Sequence, residues 1–256
     1  MGWDMIKAVV TGHSRGLGAA IAGALMARGI AVMGLARRGL AVDEGGIEGG
    51  TALKPADAFV QVGLDLGDPV ALARWLEGGE LAAFLAGSDT ALLVNNAGTL
   101  QPMGGLDQQL AVDVARAVTL NVAAPLALAA GFVGATRHVP DKRIVHVSSG
   151  AARNAYPGWS VYCATKAALD QHARAVTLDA TPGVRICSLA PGVIDTTMQA
   201  EIRATPLARF PRRARFEELH RDGGLEAPAA VADKLVAYLL DDAFGRVPVA
   251  DLRDLA

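Results

Sequence analysis

Thiols are scarce in this chain of 256 residues, which has two cysteines, Cys163 and Cys187. That count excludes a disulfide framework beyond one bridge, and neither cysteine stands in metal-ligand spacing. Two free thiols in a reducing compartment are expected. An excess of one charge is also missing. The net charge of -2 sets up no field that would draw nucleic acid, and no Lys/Arg run of the kind found at nucleic-acid or membrane surfaces occurs. The densest basic stretch, Arg209, Arg212, Arg213 and Arg215, is followed at once by Glu217 and Glu218, the pattern of a solvated helix face. Long apolar runs are lacking too. The longest, 120–133, is interrupted by Asn121 and Pro125 and falls short of the roughly 20 residues a spanning helix needs. A buried helix is expected there. The short apolar run before Gly12 follows Asp4 and does not have the form of a signal peptide. These absences point to a soluble, cytoplasmic protein with no metal and no nucleic-acid or membrane partner.

What is present is a globular composition, 52% hydrophobic and 20% charged, in an ordinary length for one α/β domain. Short apolar runs at 6–10, 30–35, 58–64, 91–94, 143–147, 184–189 and 247–250 are mostly unbroken rather than alternating, as expected of parallel strands buried on both faces. Helical patterns lie between them, near 16–28, 68–86, 107–135, 160–180 and 229–241. This alternation predicts a single doubly wound parallel sheet of about seven strands, a Rossmann fold with helices on both faces and right-handed crossovers. The domain spans 1–256. The Gly-rich stretch 43–51 reads as a surface loop. The less regular stretch 196–226, with Pro206, Pro211 and Gly223–Gly224, reads as a mobile flap over a site.

The first strand ends in Thr11-Gly12-His13-Ser14-Arg15-Gly16-Leu17-Gly18, and a helix follows at once. Glycines in such a turn let backbone approach a pyrophosphate, whose charge is stabilised by the helix N-terminus. A Gly-rich turn alone is a weak signal, but the first strand–helix junction of a parallel sheet is the context that strengthens it. Asn95-Asn96-Ala97-Gly98 follows the fourth strand, Ser149 precedes a Tyr162-x-x-x-Lys166 pair, and Pro191-Gly192 follows the sixth strand. With these motifs in this order over the whole chain, the sequence resembles the short-chain dehydrogenase/reductase family. Its finer features, Gly158-Trp159, Tyr162-Cys163-Ala164 and Ala190 through Met198, are similar to the sepiapterin reductase and benzil reductase branch.

A carboxylate at the end of the second strand would accept from the ribose 2′-hydroxyl of NAD. Here that position is Ala36, followed by Arg37 and Arg38. A guanidinium grips a 2′-phosphate with parallel hydrogen bonds, and Arg15 adds a second cation, so NADP(H) is the expected cofactor. Two solvated arginines at a strand end are the bland alternative. The resemblance implies cofactor contacts from Gly12, Ser14, Arg15, Gly16, Leu17 and Gly18, and from Arg37 and Arg38. It also implies contacts from Asp65 and Leu66 after the third strand, Asn96, Ala97 and Gly98 after the fourth, and Pro191, Gly192, Ile194 and Thr196 after the sixth, besides Tyr162 and Lys166.

Tyr162 and Lys166 lie one turn apart on one helix face. A phenol titrates near pH 10, and a neighbouring cation is expected to lower that value for acid–base work. Alone the pair is weak, since Tyr and Lys one turn apart also occur on solvated helices. The resemblance implies that Ser149 hydrogen-bonds the substrate carbonyl and that Tyr162 protonates the developing alkoxide. It further implies that Lys166 holds the nicotinamide ribose, and that Asn121 keeps a water in the proton relay. Asn121 also reads as a helix-kink residue. Ser148 is the rival for the serine role, and Ser148, Ser149, Tyr162 and Gly192 are expected to line the substrate site. By the same resemblance Asp251 anchors a pterin edge, with a solvated terminal acid as the alternative. Thr165 and Leu252-Arg253 depart from the sepiapterin reductase pattern.

The function implied is an NADPH-dependent carbonyl reductase acting on a small-molecule ketone or dicarbonyl. A β-ketoacyl thioester reductase or secondary-alcohol dehydrogenase of the same family is the nearer alternative. A non-catalytic NADPH-sensing regulator is the more distant one, disfavoured because both Tyr162 and Lys166 are present. The alanine-rich segments 107–135 and 160–180 suit close helix approach across a two-fold axis, hence a homodimer or homotetramer.

Overall fold

The computed structural model describes residues 5–39 and 59–255. The expected loop at 43–51 lies outside the described residues. The strands are β1 Ile6–Thr11, β2 Ala31–Ala36, β3 Phe59–Gly63, β4 Thr90–Asn95, β5 Asp141–Val147, β6 Val184–Ala190 and β7 Val249–Asp251. They form one seven-stranded sheet in the order β3-β2-β1-β4-β5-β6-β7. Each neighbouring pair is parallel. The strand order reverses between β1 and β4, and such a switch point opens a crevice beyond the strand carboxyl ends.

The unbroken apolar runs follow from burial on two faces. Val10, Val94, Val145 and Leu189 pack against helices α1 (Gly16–Met26) and α9 (Pro228–Leu240) on one side. Val9, Leu93 and Ile144 face the other side, against Leu72, Leu81, Leu128 and Ala173. Those four sit on α2 (Pro69–Glu77), α3 (Glu80–Leu85), α5 (Ala124–Ala135) and α6 (Ser160–Leu178). Each fully buried Leu or Phe contributes roughly 1.5–3 kcal/mol of transfer free energy.

Several boundaries differ from the sequence reading. The pattern at 68–86 is two helices, because Gly79 turns left-handed (φ 82) and starts α3 afresh. The stretch 107–135 becomes α4 (Ala111–Val118), a π turn at Thr119–Ala123, and α5. The last strand begins at Val249 rather than Val247. The stretch 196–226 is more regular than expected, with α7 (Thr197–Ala204) and α8 (Arg213–Arg221). It is clamped by a third apolar cluster in which Ile202, Phe210 and Phe216 pack with Trp159 and Tyr162. Trp159 stacks on Phe210 with ring centroids 4.6 Å apart. The helical run 111–135 is long and apolar enough by composition to cross a bilayer, yet Leu128, Ala129 and Phe132 of α5 are packed into the core.

Candidate active site

The Gly-rich turn sits at the switch point. Gly12 (φ 69) and Gly16 (φ 55) hold left-handed conformations that favour glycine. At Gly18 the constraint is space, since a Cβ would lie 2.2 Å from the Gly12 carbonyl oxygen. Helix α1 therefore starts against the end of β1. Its N-cap residue Arg15 makes no side-chain cap, so the N-cap leaves the first N–H groups of α1 untaken, the arrangement that suits an anion. The Thr196 methyl lies 3.5 Å from the Cβ position of Gly16 and forms the opposing wall. Leu17 is buried, Ser14 half-buried and Arg15 exposed.

A hydroxyl that sequence reasoning passed over ties this turn to the next strand. Thr11 Oγ1 accepts the backbone N–H groups of Asn96 (2.9 Å) and Ala97 (3.0 Å). The Asn96 amide in turn donates to the Thr11 carbonyl at 2.9 Å. Its signal was present in the sequence, inside the motif and immediately before Gly12. His13 was also missed. Its buried ring fills the notch left by Gly34, whose Cβ would lie 2.5 Å from it, and hydrogen-bonds Gln61 at 3.0 Å.

Arg37 and Arg38 are exposed at the end of β2, on the rim of the same crevice, where Gly12 N–H donates to the Leu35 carbonyl at 2.8 Å. Asp65 is exposed and accepts from Gly67 N–H at 2.9 Å, while Leu66 is buried. Beyond β6, Gly192 is left-handed (φ 88). Ile194 is buried and bridges to Glu226, where Asp195 N–H donates to the Glu226 carbonyl at 2.9 Å.

Tyr162 and Lys166 share the inner face of α6 and both are buried. Ser149, in the turn after β5, accepts from Ala151 N–H at 3.2 Å and is close enough to Tyr162 to act on its phenol. The Lys166 ammonium donates to the Val147 carbonyl at 2.7 Å. It lies 5.8 Å from the Tyr162 ring centroid and 3.8 Å from the Cβ position of Gly98. Burial pushes Tyr162 up to about 12, against a smaller lowering from Ser149. The direction in the free protein is set by burial, the reverse of the lowering expected from Lys166. Burial also brings Lys166 down to about 8.

Asn121 stands in the π turn, where its carboxamide oxygen accepts from Thr99 N–H at 2.9 Å. Its amide donates to the Thr99 carbonyl (2.8 Å) and to Thr165 Oγ1 (3.2 Å). Those contacts occupy the side chain, so any service to a water falls to the backbone carbonyls that a π turn leaves free.

Two expected substrate contacts are otherwise engaged. Ser148 donates to the buried Asp170 carboxylate at 2.7 Å and is itself buried, because it occupies a core-facing position at the end of β5. Asp251 is not a free anchor. Its oxygens accept from Arg253 Nε at 2.8 Å and Nη2 at 2.7 Å, and from Arg253 N–H at 3.1 Å. That pairing holds the Asp251 carboxyl below its ordinary range. The pair does reach the crevice, since Arg253 Cδ lies 3.7 Å from the Cβ position of Gly192.

Comparison with known proteins agrees with this geometry. The short chain dehydrogenase family model matches residues 7–207. Benzil reductase ((S)-benzoin forming) of Bacillus cereus is 33% identical over 243 residues, 91% of this chain and 93% of that one. Sepiapterin reductase of Mus musculus is 33% identical over 244 residues, 92% of each. A short-chain dehydrogenase/reductase structure from Burkholderia vietnamiensis is 45% identical, with a TM-score of 0.67 over 98% of this chain and 99% of that one. The chain belongs to the short-chain dehydrogenase/reductase family of nicotinamide-dependent oxidoreductases.

Proposed function

We propose that the chain is a cytoplasmic NADPH-dependent carbonyl reductase whose substrate is a neutral dicarbonyl of the aromatic diketone type rather than a pterin. The observation that carries the reaction is the pairing of Tyr162 and Lys166 one turn apart on the buried face of α6, with Ser149 near enough to act on the Tyr162 phenol. The nicotinamide supplies the hydride. Ser149 holds the carbonyl oxygen, and Tyr162 gives that oxygen its phenolic proton. The buried, high-pKa state of Tyr162 keeps its proton on at neutral pH, as a donor requires. Lys166 steadies the phenolate left behind and takes the ribose hydroxyls, for which its position beside Gly98 is suited. Asn121 holds the π turn and, through its carbonyls, a relay water.

The uncapped start of α1 and Gly12, Ser14, Gly16, Leu17 and Gly18 are assigned to the pyrophosphate. Arg15, Arg37 and Arg38 are assigned to a 2′-phosphate, with no carboxylate at Ala36 to repel it. Asp65 and Leu66 take the adenine end. Asn96, Ala97, Gly98, Pro191, Gly192, Ile194 and Thr196 enclose the rest of the cofactor. Helices α7 and α8 serve as the substrate flap.

The substrate class rests on two features. The Asp251 carboxylate is spent on Arg253, which leaves little for the donor-rich edge of a pterin. The surroundings of Tyr162 are aromatic, with Trp159 5.3 Å away, centroid to centroid. The assembly proposed is a homodimer through α4 and α6. An open groove there is lined by Leu106, Val114, Val118, Val161, Ala164 and Ala168, and Leu106, Leu110 and Val118 are exposed. An NADPH-oxidation screen over benzil, smaller α-diketones, sepiapterin and acetoacetyl thioesters tests the reading. Benzil and other α-diketones are expected to be reduced fastest, and a clear preference for the thioester would replace it.

A further inference from the structure

Asp170 has no part in the chemistry described so far, yet it is among the most buried charges in the molecule, 2% exposed. It lies on α6 one turn beyond Lys166 and two beyond Tyr162. One oxygen, Oδ1, accepts from Ser148, the residue after β5, and from Ser188 on β6, each at 2.7 Å. The other, Oδ2, is buried without a hydrogen bond and has Arg153 Nε at 3.5 Å. Arg153 follows the Ser149 turn, and its Nη2 reaches the Ala250 carbonyl on β7 at 3.2 Å. One carboxylate therefore joins the helix of Tyr162 and Lys166 to three strand ends. Ser148 is the immediate neighbour of Ser149, and β6 leads directly into Pro191-Gly192.

A carboxylate that is buried and half-satisfied costs several kcal/mol to desolvate. Two serine hydroxyls would hold these strands together as well through a neutral partner. Two cations stand near the charge, Arg153 with its Nε 3.5 Å from Oδ2 and Lys166 one turn back on α6. Its ammonium is buried and makes one hydrogen bond to Val147. Burial disfavours the charged form, and the Asp170 carboxylate opposes that effect.

We propose that Asp170 is a positioning residue for the reduction, whose buried carboxylate keeps Lys166 an ammonium and locks the strand ends carrying Ser149 and Gly192 to the helix carrying Tyr162. The inference rests on the roles assigned to Tyr162 and Lys166 above. The other titratable groups around the pair differ by element. On α6 they are Tyr162, Cys163 beside it and His172, which burial lowers. On β5, His146 is fully buried and brought down to about 3, by burial first and then by His172 and Lys166, so it stays neutral throughout. On β6, Cys187 is pushed up to about 11 by burial. Beyond β5, Arg153 is the cation facing Asp170 and also acts on Asp251 at the end of β7. Within the working range, Lys166 is thus the group on which Asp170 acts, against the larger effect of burial.

The test is the pH profile of kcat/KM for NADPH with whichever dicarbonyl the wild type reduces, since this parameter reports groups of the free enzyme. Asp170→Asn keeps the shape and an acceptor for both serines but removes the charge. Its high-pH limb is expected to move down by about one unit, lowering activity about fivefold at pH 8 and about tenfold well above it. Ser188→Ala removes one hydrogen bond and keeps the charge, so its limb is expected to stay in place. Arg153→Met, on a side chain one-third exposed, uncovers the carboxylate and is expected to move the limb upward even if Asp170→Asn does not fold. An unmoved limb in a folded Asp170→Asn, equal displacement in Ser188→Ala, or an unmoved limb in Arg153→Met would each overturn the inference alone. A wild type that reduces no carbonyl would overturn the reductase reading and take this inference with it.

Discussion

Asp251 and Arg253, two residues apart at the end of the last strand, form a bidentate ion pair at 2.8 and 2.7 Å beside Gly192. The carboxylate is buried and the arginine side chain is 60% exposed. A partner that exposed can be removed at small cost to the fold. Arg253→Ala is therefore expected to free Asp251 for a ligand with paired donors. Apparent affinity for sepiapterin should rise about tenfold, while benzil, which offers no donors, changes less than twofold. The scale is that of one charge-assisted contact, about 1.5–3 kcal/mol, part of which is spent on hydration. Steady-state KM values for both substrates in wild type, Arg253→Ala and Asp251→Asn decide the matter. If sepiapterin gains nothing in Arg253→Ala, the terminal acid does not face the substrate.

Cofactor preference is expected to lie with NADPH. Arg37→Ala should weaken NADPH by about 10- to 100-fold, the loss of one charge-assisted contact to phosphate, and leave NADH nearly unchanged. Competitive titration of both cofactors measures it. Equal kcat/KM for NADPH and NADH in the wild type would rule out a phosphate site at Arg15, Arg37 and Arg38.

Tyr162→Phe removes the proton donor without emptying its space. Turnover is expected to fall by at least about 100-fold, the lower end of what general acid catalysis supplies, with NADPH binding retained. Lys166→Ala should damage both. Near-wild-type turnover in Tyr162→Phe would send the search to another donor.

Lys166 is expected to cost the fold stability. Its ammonium is brought from an ordinary 10.5 to about 8, chiefly by burial. Below pH 8 the folded and unfolded forms both carry the charge, so the folded state bears the whole desolvation cost. Between 8 and 10.5 the folded form gives up its proton first, and the cost fades. Lys166→Met is accordingly expected to be more stable than the wild type at pH 7, by up to about 3 kcal/mol, with the advantage gone near pH 10.5. Urea unfolding at the two pH values reads the difference. A Met variant no more stable at pH 7 would mean that the bond to Val147 outweighs the burial.

Val118→Glu places a charge in the apolar groove between α4 and α6, where Val118 is 42% exposed. Light scattering is expected to show a dimer for the wild type and a monomer for the variant. Identical masses would move the interface elsewhere.

Much of this protein is determined locally and so can be read from the chain. Strands buried on both faces are largely apolar, which is why the runs ending at Val10, Leu35, Val94, Val147 and Leu189 located five of the seven strands before any contact was known. The turn Gly12–Gly18 and the one-turn spacing of Tyr162 and Lys166 are local too, because backbone sterics and helix geometry act over a few residues. What the sequence left open depends on who stands across the sheet. Whether Ser148 faces substrate or core was decided by Asp170, 22 residues away. Whether the Asp251 carboxylate stands free was decided by Arg253, which pairs with it. Whether Tyr162 titrates low or high was decided by burial under Trp159 and Phe210, set by a segment whose pattern gave no warning of α7 and α8. Hydrogen-bond partners and desolvation are properties of the assembled neighbourhood, and only the packing of distant elements settles them.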